Sequence, residues 1–172
     1  EITLKPELFD AEGDGIRQKA VNYFGIQLER VRVVDILTID ADLSAEQLQT
    51  IQSEIFTNPV TQHSAYTPLP LDFDGCIWVG FRPGVRDNPG STAVEAIEDL
   101  LGIKMGKDQD VYTSKRYCLT GKDLTDADIR QIAEQLLAND IIQQWKIFRR
   151  AEWNPREGIG IIIPRVILDH TP

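Results

Sequence analysis

Residues that build metal and redox sites are scarce in this sequence. Its 172 residues include two histidines and two cysteines. His63 and His170 lie in unrelated segments, so no histidine pair indicates a metal site. Cys76 and Cys118 fall in strand-like segments without a CxxC spacing, which favours buried thiols in a reducing compartment over a disulfide.

Basic residues and long apolar runs are also few. The 18 Lys and Arg residues are outnumbered by 27 Asp and Glu residues, which gives a formal net charge of −9. A negative field repels phosphate backbones and anionic lipids, so we expect no binding to nucleic acid or membrane surfaces. No apolar run approaches the roughly 20 residues that span a bilayer. The first residues have no signal-peptide pattern, and we expect a cytoplasmic protein.

Motifs that identify common catalytic sites are missing as well. The sequence has no GxSxG, P-loop, GxGxxG or HExxH pattern. Several carboxylates flank the predicted starts of helices, where they complement the helix dipole. These acidic residues are Asp40, Asp42, Asp123, Asp126 and Asp128. We therefore expect the chain itself to be non-catalytic and to hold no metal or cofactor of its own.

The sequence does contain a pattern that occurs twice. Residues 5–13 align with 82–90, and residues 56–62 align with 137–143. The offset is 77 for the first pair (82 against 5) and 81 for the second (137 against 56), so the second copy holds a four-residue insertion between the blocks. Several blocks in the same order indicate a tandem duplication. The predicted division is repeat 1 in residues 1–70, repeat 2 in 71–150 and an extended connector in 151–172.

Each repeat is predicted to run strand, helix, two strands, helix, strand. The β-rich stretches at 31–39 and 111–119 are each long enough for two short antiparallel strands with a turn. The βαββαβ order predicts an α+β fold in which helices cover one face of antiparallel sheets. A single repeat of about 77 residues has a core that gives little stability, so we expect the two repeats to pack as a pseudo-dimer.

Local patterns define the helices further. Gly25 and Gly102 stand where a helix C-terminus favours a residue at positive φ. Ser44 and Thr125 each begin a second helix, but only Ser44, with Gln47, has the full capping-box pattern. The first helix of each repeat has an apolar stripe that suits one face of a sheet, made of Ile16, Ala20, Tyr23 and Phe24 or of Ala93, Ile97, Leu100 and Leu101.

Residues that recur at matched positions form the candidate site. Asp10 and Asp87 each lie between a basic residue with its proline and a glycine, which is typical of a turn whose Asp bonds the backbone ahead of a helix. The alternative is a contact surface with Lys5 and Arg82 as its basic members. We expect the matched asparagines to end helices and tolerate positive φ. The candidate interface and turn residues are Lys5, Asp10, Gly13, Asn58, Arg82, Asp87, Gly90 and Asn139.

These motifs resemble the PurS family of purine biosynthesis. PurS sequences carry Lys-Pro-Gly-Val-x-Asp-Pro-x-Gly, then Leu-Gly, and near their end Leu-Leu-Ala-Asn-Pro-Val-Ile. Repeat 1 is the more diverged copy, because Glu7 stands where the family pattern has glycine. Repeat 2 carries the pattern as Arg82-Pro83-Gly84-Val85-x-Asp87-x-x-Gly90, Leu101-Gly102 and Leu136-Leu137-Ala138-Asn139.

The resemblance implies a scaffold within a larger enzyme. PurS modules pair up and bridge the synthetase and glutaminase parts of phosphoribosylformylglycinamidine synthase. That enzyme is an ATP-dependent ligase that converts formylglycinamide ribonucleotide to formylglycinamidine ribonucleotide with ATP, Mg and ammonia from glutamine. The two copies look like the N-terminal region of long synthases, which is built as a fused PurS pair.

The partners that the resemblance implies are a synthetase domain, expected on the same polypeptide, and a glutaminase subunit. A homodimer is also left open. The active-site residues of the family lie in those partners, so none is carried onto this sequence. Two other hypotheses are a regulatory α+β module that binds a small ligand at its interface and a free-standing enzyme of unknown type.

Overall fold

The computed structural model describes residues 1–158 and Pro164. Its strands are β1 (Ile2–Leu4), β2 (Arg30–Asp40), β3 (Gln62–Ser64), β4 (Gly75–Phe81), β5 (Asp110–Thr120) and β6 (Gln143–Arg149). Its helices are α1 (Ala11–Phe24), α2 (Ala45–Ile51), α3 (Asn88–Leu101) and α4 (Asp126–Ile132), and a short 3-10 helix spans Arg150–Glu152. Helices α2 and α4 continue into π-helical turns at Gln52–Phe56 and Ala133–Leu137. The predicted connector falls largely on 159–163 and 165–172, which lie outside the described residues.

The described strands form one six-stranded antiparallel sheet in the order β3-β1-β2-β5-β4-β6. The first segment (residues 1–70) supplies β3, β1 and β2, and the second segment (71–150) supplies β5, β4 and β6. The two segments join edge to edge, because β2 pairs with β5 from Arg30↔Thr120 to Asp40↔Asp110. The α+β prediction is confirmed, whereas the boundaries of the predicted repeats stay a prediction.

One part of the predicted topology is wrong. The stretches at 31–39 and 111–119 each lie in a single strand of 11 residues, rather than in two short strands with a turn. Neither stretch contains the glycine, proline or asparagine that a tight turn favours. The two strands pair with each other at all 11 positions, which keeps each of them extended along its length. Each segment therefore runs βαβαβ, in the same order in both.

The described helices pack on one face of the sheet in two groups. Val33 and Leu37 lie on the same face of β2, because side chains alternate along a strand. Val33 packs in a cluster with Ala20 of α1 and Ile132 of α4. Leu37 packs against a second cluster that includes Ile97 of α3. Helices of both segments thus share each core cluster, so the two segments depend on each other for burial.

The opposite face of the sheet is covered by chain that is not helical. Cys76 and Cys118 are free thiols on this face, and both are buried as the sequence predicts. Leu69 and Phe73, from the link between the segments, pack over them. Trp153 extends this cover and makes an edge contact with Phe73, with 5.3 Å between ring centroids.

The helix ends follow the sequence patterns closely. Gly25 and Gly102 adopt φ values of 64° and 65°, which confirms both helix termini. Ser44 has the predicted capping box. Thr125 has one too, contrary to the prediction, because the carboxylate of Asp128 accepts a hydrogen bond from the Thr125 N–H at 3.2 Å. In the Thr125 capping box, the shorter acidic side chain of Asp128 therefore takes the place that Gln47 has in the Ser44 box.

The apolar stripes are confirmed only in part. Tyr23 and Leu100 were expected to face the sheet, but they are 70% and 41% exposed. The buried face of each helix is centred on Ala20 or on Ala93 and Ile97. At about 100° per residue, Tyr23 projects roughly 60° around the helix from Ala20, which places it at the edge of the face that contacts the sheet.

Candidate functional site

Asp10 holds the start of α1 against β2. Its carboxylate accepts hydrogen bonds from the Gly13 N–H at 2.9 Å and from the Val33 N–H at 2.9 Å. The first bond caps the helix and the second ties the cap to the central strand. Since Asp10 is buried and its two oxygens are both engaged, its role is to position the loop that precedes the helix.

Asp87 repeats this arrangement in the second segment. Its carboxylate accepts from the Gly90 N–H at 2.8 Å and from the Thr113 N–H at 2.6 Å. It also accepts from the Thr113 hydroxyl at 2.7 Å, a bond for which Val33 has no donor. The matched aspartates therefore connect helix and strand in the same way in both segments.

Gly13 and Gly90 are matched for a steric reason. A Cβ atom at Gly13 would lie 2.0 Å from the Val31 carbonyl oxygen, and one at Gly90 would lie 2.2 Å from the Val111 carbonyl oxygen. Both obstacles are backbone atoms of a central strand, which cannot rotate away as a side chain can. The close approach of helix and strand at these two points requires glycine.

Lys5 and Arg82 lie at corresponding junctions between the loop before the helix and the turn before the last strand. The Lys5 N–H donates to the Thr61 carbonyl at 2.9 Å. The Arg82 N–H donates to the Ile142 carbonyl at 2.9 Å, and its Nε donates to the Asp140 carbonyl at 2.7 Å. Each junction thus brings together a basic residue and an Asn-containing turn that are more than 50 residues apart in sequence.

The predicted role of Asn58 and Asn139 as positive-φ caps is wrong. Asp123 is the single non-glycine residue with positive φ in the described part of the chain. Instead, each asparagine starts a turn and accepts a hydrogen bond from the N–H two residues on, Val60 or Ile141, at 3.0 or 3.1 Å. A glutamine four residues on accepts from each asparagine N–H at 2.9 Å. This side-chain chemistry closes the turn without left-handed backbone.

Arg32 is a buried cation that the sequence analysis missed. Its guanidinium donates to the carbonyl oxygens of Leu4, Lys5 and Leu8 at 2.8–3.1 Å. These carbonyls belong to the end of β1 and to the loop that leads from it to Asp10, so Arg32 holds that loop in place. A charged residue inside an apolar strand run was the available signal, but its partners are backbone atoms that no sequence pattern reveals.

A cluster of three charges lies where the two segments meet. Asp35 and Lys115 are the sixth residues of β2 and β5, and they lie opposite each other across the central strand pair. The Lys115 ammonium is 2.7 Å from the Glu12 carboxylate and 3.6 Å from the Asp35 carboxylate. Two carboxylates therefore share one cation, which leaves a net negative charge at the join.

Burial and neighbouring charges shift the pKa values of Asp35 and Lys115. Burial raises the pKa of Asp35, and the positive charge of Lys115 offsets the effect only in part. Burial alone would lower the pKa of Lys115, but the hydrogen bond to Glu12 and the charge of Asp35 outweigh it and raise that pKa. Lys115 is thus held in its charged form at neutral pH.

The charge cluster borders a groove of about 470 Å³ on the helix-bearing face. The groove is largely apolar, with a few amide, hydroxyl and charged groups. Its lining includes Ile2, Phe56, Gln62, Val79, Tyr117 and Gln143. Both segments contribute to it, so a small molecule bound there would contact both.

The predicted site residues fall into two sets rather than one. Lys5, Asp10, Gly13 and Asn58 form one loop junction, and their counterparts in the second segment form another.

No group of three or more His, Cys, Asp or Glu side chains that could hold a metal ion occurs in the described residues. Over the same residues, no helix combines the length and apolarity needed to cross a membrane.

Residues 76–150 match the family model of PurS, described as phosphoribosylformylglycinamidine (FGAM) synthase. A search of curated proteins finds no match. The matched residues run from β4 to the start of the 3-10 helix, so the second segment is the part of the chain that is similar to PurS. The description of that family names FGAM synthase, an enzyme of purine biosynthesis.

Proposed function

We propose that this chain is the PurS-like scaffold region of phosphoribosylformylglycinamidine synthase, acting in the cytoplasm in de novo purine biosynthesis. The enzyme converts formylglycinamide ribonucleotide to formylglycinamidine ribonucleotide with ATP and glutamine. The observation that carries this proposal is the PurS match over residues 76–150. The proposed task of the chain is to hold the synthetase and glutaminase parts together so that ammonia passes between them.

We further propose that the first segment is a diverged PurS repeat and that the two segments act as a built-in dimer. The same element order in both segments supports this. So do the matched hydrogen bonds of Asp10 and Asp87 and the matched close approaches at Gly13 and Gly90. The shared sheet, centred on the β2–β5 pair, gives the joined segments one rigid frame.

The catalytic chemistry is assigned to the partners. ATP and Mg would bind in the synthetase, and the described residues of this chain offer no ligand set for a metal ion. The chain would instead provide two similar contact regions at its two loop junctions. Val60 and Ile141 mark these regions, because they stand at corresponding turn tips and are 76% and 84% exposed.

The test of the scaffold role is reconstitution. The chain is mixed with a synthetase that lacks this region and with a glutaminase, and formation of the amidine is measured with glutamine or with ammonium as nitrogen source. We expect glutamine-dependent turnover to require the chain and ammonium-dependent turnover to be much less sensitive. Equal glutamine-dependent turnover with and without the chain would show that it is not the scaffold.

Surface variants locate the contacts within that assay. Val60→Ser and Ile141→Ser remove exposed aliphatic groups, so the fold should tolerate them. We expect at least one to weaken glutamine-dependent turnover by several-fold. Lys19→Ala, at an exposed position on α1, is the matched control and should leave turnover unchanged. If all three variants match the unmodified chain, the loop junctions are not the contact regions.

A second candidate is a regulatory module that binds a small ligand between its segments. The groove of about 470 Å³ at the join favours it, because such a volume accommodates a metabolite and both segments line it. Calorimetry with amino acids and nucleotides tests this function. Saturable binding that Lys115→Met abolishes would support regulation, and no binding by any of them would remove it.

A further inference from the structure

Two buried thiols face each other on the side of the sheet away from the helices. Cys76 of β4 and Cys118 of β5 are directly opposite in the register of these strands. Their exposed fractions are 0% and 1%. The proposed scaffold function makes no use of them, and neither residue belongs to the loop junctions.

Their position in the ladder brings the two side chains close. Arg82 donates its backbone N–H to Ile142, so the even-numbered residues of β4 direct their backbone groups toward β6. The odd-numbered residues then bond to β5, which makes Cys76 and Cys118 a non-hydrogen-bonded pair. In such pairs the Cα atoms are about 4.5 Å apart, and the side chains are closer than in hydrogen-bonded pairs. This separation lies within the range that a disulfide spans.

A buried guanidinium lies beside the thiols. The Nη1 of Arg116 donates to the Cys118 sulfur at 3.1 Å, and its Nη2 donates to the Glu1 carboxylate at 2.6 Å. Arg116 is 0% exposed, and its Nε has no hydrogen-bond partner in the described chain. The guanidinium carbon also lies 4.4 Å from the ring centroid of Trp153. The site thus offers positive charge to the sulfur of Cys118.

We propose that Cys76 and Cys118 form a redox-active pair that hydrogen peroxide converts to a cross-strand disulfide, with Cys118 as the attacking sulfur. A buried cysteine in apolar surroundings is normally inert. These two differ because they face each other and because a cation is within hydrogen-bond distance of one of them. Peroxide is small and uncharged, so it can enter when the cover formed by Leu69, Phe73 and Trp153 opens.

The reaction balances with peroxide as the two-electron oxidant. The Cys118 thiolate attacks peroxide, so that an S–O bond forms, the O–O bond breaks and hydroxide leaves to take up the proton that Cys118 lost. The sulfur of Cys76 then attacks Cys118, so that the S–S bond forms and the S–O bond breaks. The departing hydroxide and the proton of Cys76 make water. Two thiols are oxidised, and one peroxide becomes two waters.

The order of attack agrees with the pKa directions of the pair. The hydrogen bond from Cys76 lowers the pKa of Cys118, and the nearby Arg116 charge adds to this effect although burial opposes it. Burial raises the pKa of Cys76 well above its usual value. The thiolate, which is the nucleophile, therefore forms at Cys118 in preference to Cys76.

The first test counts thiols in the intact folded chain. Peroxide is added at neutral pH, the reaction is quenched in acid, and free thiols are alkylated and counted by mass spectrometry. We expect the number of free thiols to fall from two to none, with loss of two hydrogens, and dithiothreitol to restore both. Two thiols that persist under conditions that oxidise the urea-unfolded chain would overturn the proposal, and so would intermolecular disulfides alone.

Single variants test the order of attack. In Cys76→Ser, Cys118 should react with peroxide and be trapped as a sulfenic acid by dimedone. In Cys118→Ser, Cys76 should react at least tenfold more slowly. Equal rates in the two variants would overturn the assignment of Cys118 as the attacking sulfur.

A third variant tests the cover. Trp153→Ala removes an aromatic side chain from the cover above the thiols, and we expect it to speed disulfide formation several-fold. Phe9→Ala alters a side chain that is 73% exposed, and it serves as the control that should leave the rate unchanged. A rate that Trp153→Ala leaves unchanged would show that the proposed path for peroxide is wrong. None of these thiol measurements depends on purine synthesis, so they stand apart from the test of the scaffold role.

Discussion

The loops that precede α1 and α3 have the same hydrogen bond but different backbones. In the first segment, the Leu8 N–H donates to the Lys5 carbonyl at 2.9 Å, and in the second the Val85 N–H donates to the Arg82 carbonyl at 3.1 Å. Gly84 adopts φ 83° in the second loop, whereas the corresponding Glu7 is not at positive φ. The turn therefore survives replacement of its glycine by changing type, which a sequence comparison records only as a mismatch.

The two segments also differ at the edges of the sheet. The outer strand β6 has 7 residues, whereas its counterpart β3 has 3. The PurS match covers the second segment and not the first. The contacts that persist in both segments include those of Asp10, Asp87 and their glycines, and also the exposed turns at Asn58 and Asn139. The length of the outer strand thus differs between the segments, while the junction of helix and strand is retained.

The largest expected effect comes from the paired glycines. Gly13→Ala and Gly90→Ala would each place a Cβ against a carbonyl of a central strand, so we expect a loss of more than about 3 kcal/mol in the free energy of unfolding. Urea denaturation followed by circular dichroism measures it. Gly15→Ala is the control, since no atom outside its own stretch of helix lies within 4 Å of its Cβ position, and it should gain about 0.5–1 kcal/mol as a helix residue. Similar values for Gly13→Ala and Gly15→Ala would show that α1 does not approach β2 so closely.

The paired aspartates should give the next largest effect. Asp10→Ala removes a helix cap and leaves the buried Val33 N–H without its acceptor, so we expect a loss of about 2 kcal/mol. Asp87→Ala should cost at least as much, because the Thr113 hydroxyl loses its acceptor too. The same urea titration measures both variants. A cost at one position only would mean that the two junctions are not equivalent.

The helix ends could be predicted from the sequence, whereas the length of the central strands could not. The helix ends at Gly25 and Gly102 and the serine cap at Ser44 followed from local chemistry, because caps depend on neighbours within a few residues. The single long strand at 31–39 did not follow from local chemistry. Its pairing with β5, which is distant in sequence, decides whether the stretch forms one strand or two. A β-rich stretch that is long enough for one strand or for two short ones does not indicate which strand it pairs with.

The charged residues show the same limit more sharply. Arg32 and Arg116 lie in the two central strands, and the sequence shows neither the carbonyls that Arg32 bonds nor the thiol beside Arg116. Lys115 forms an ion pair with Glu12, which is 103 residues away in sequence. Such contacts arise from the fold as a whole, which is why the sequence identified the loop junctions but not the charge cluster at the join.

A smaller effect is expected where the two loops differ in backbone. Gly84→Ala would force an L-residue to φ 83°, so we expect a loss of about 1–2 kcal/mol. Glu7→Ala, at the corresponding position, should stay within about 0.5 kcal/mol of the unmodified chain. Thermal unfolding of the two variants side by side measures the difference. Equal effects would mean that the two loops share one turn type after all.

The smallest effect concerns Asp35 and Lys115, which occupy corresponding positions with opposite charges. Because the pKa of Asp35 is raised in the folded chain, its ionised form destabilises the fold above that pKa, and the cost falls away as pH drops toward the unfolded value of 3.8. We expect Asp35→Asn to be slightly more stable than the unmodified chain at pH 7, by less than about 1 kcal/mol, since the group is half-exposed. Unfolding measured from pH 7 to pH 3 should show this advantage disappear. Asp14→Asn should behave in the opposite sense, because its hydrogen bond with Arg17 lowers the pKa of Asp14. If Asp35→Asn instead loses stability at pH 7 like Asp14→Asn, the ion pair with Lys115 outweighs burial at the join.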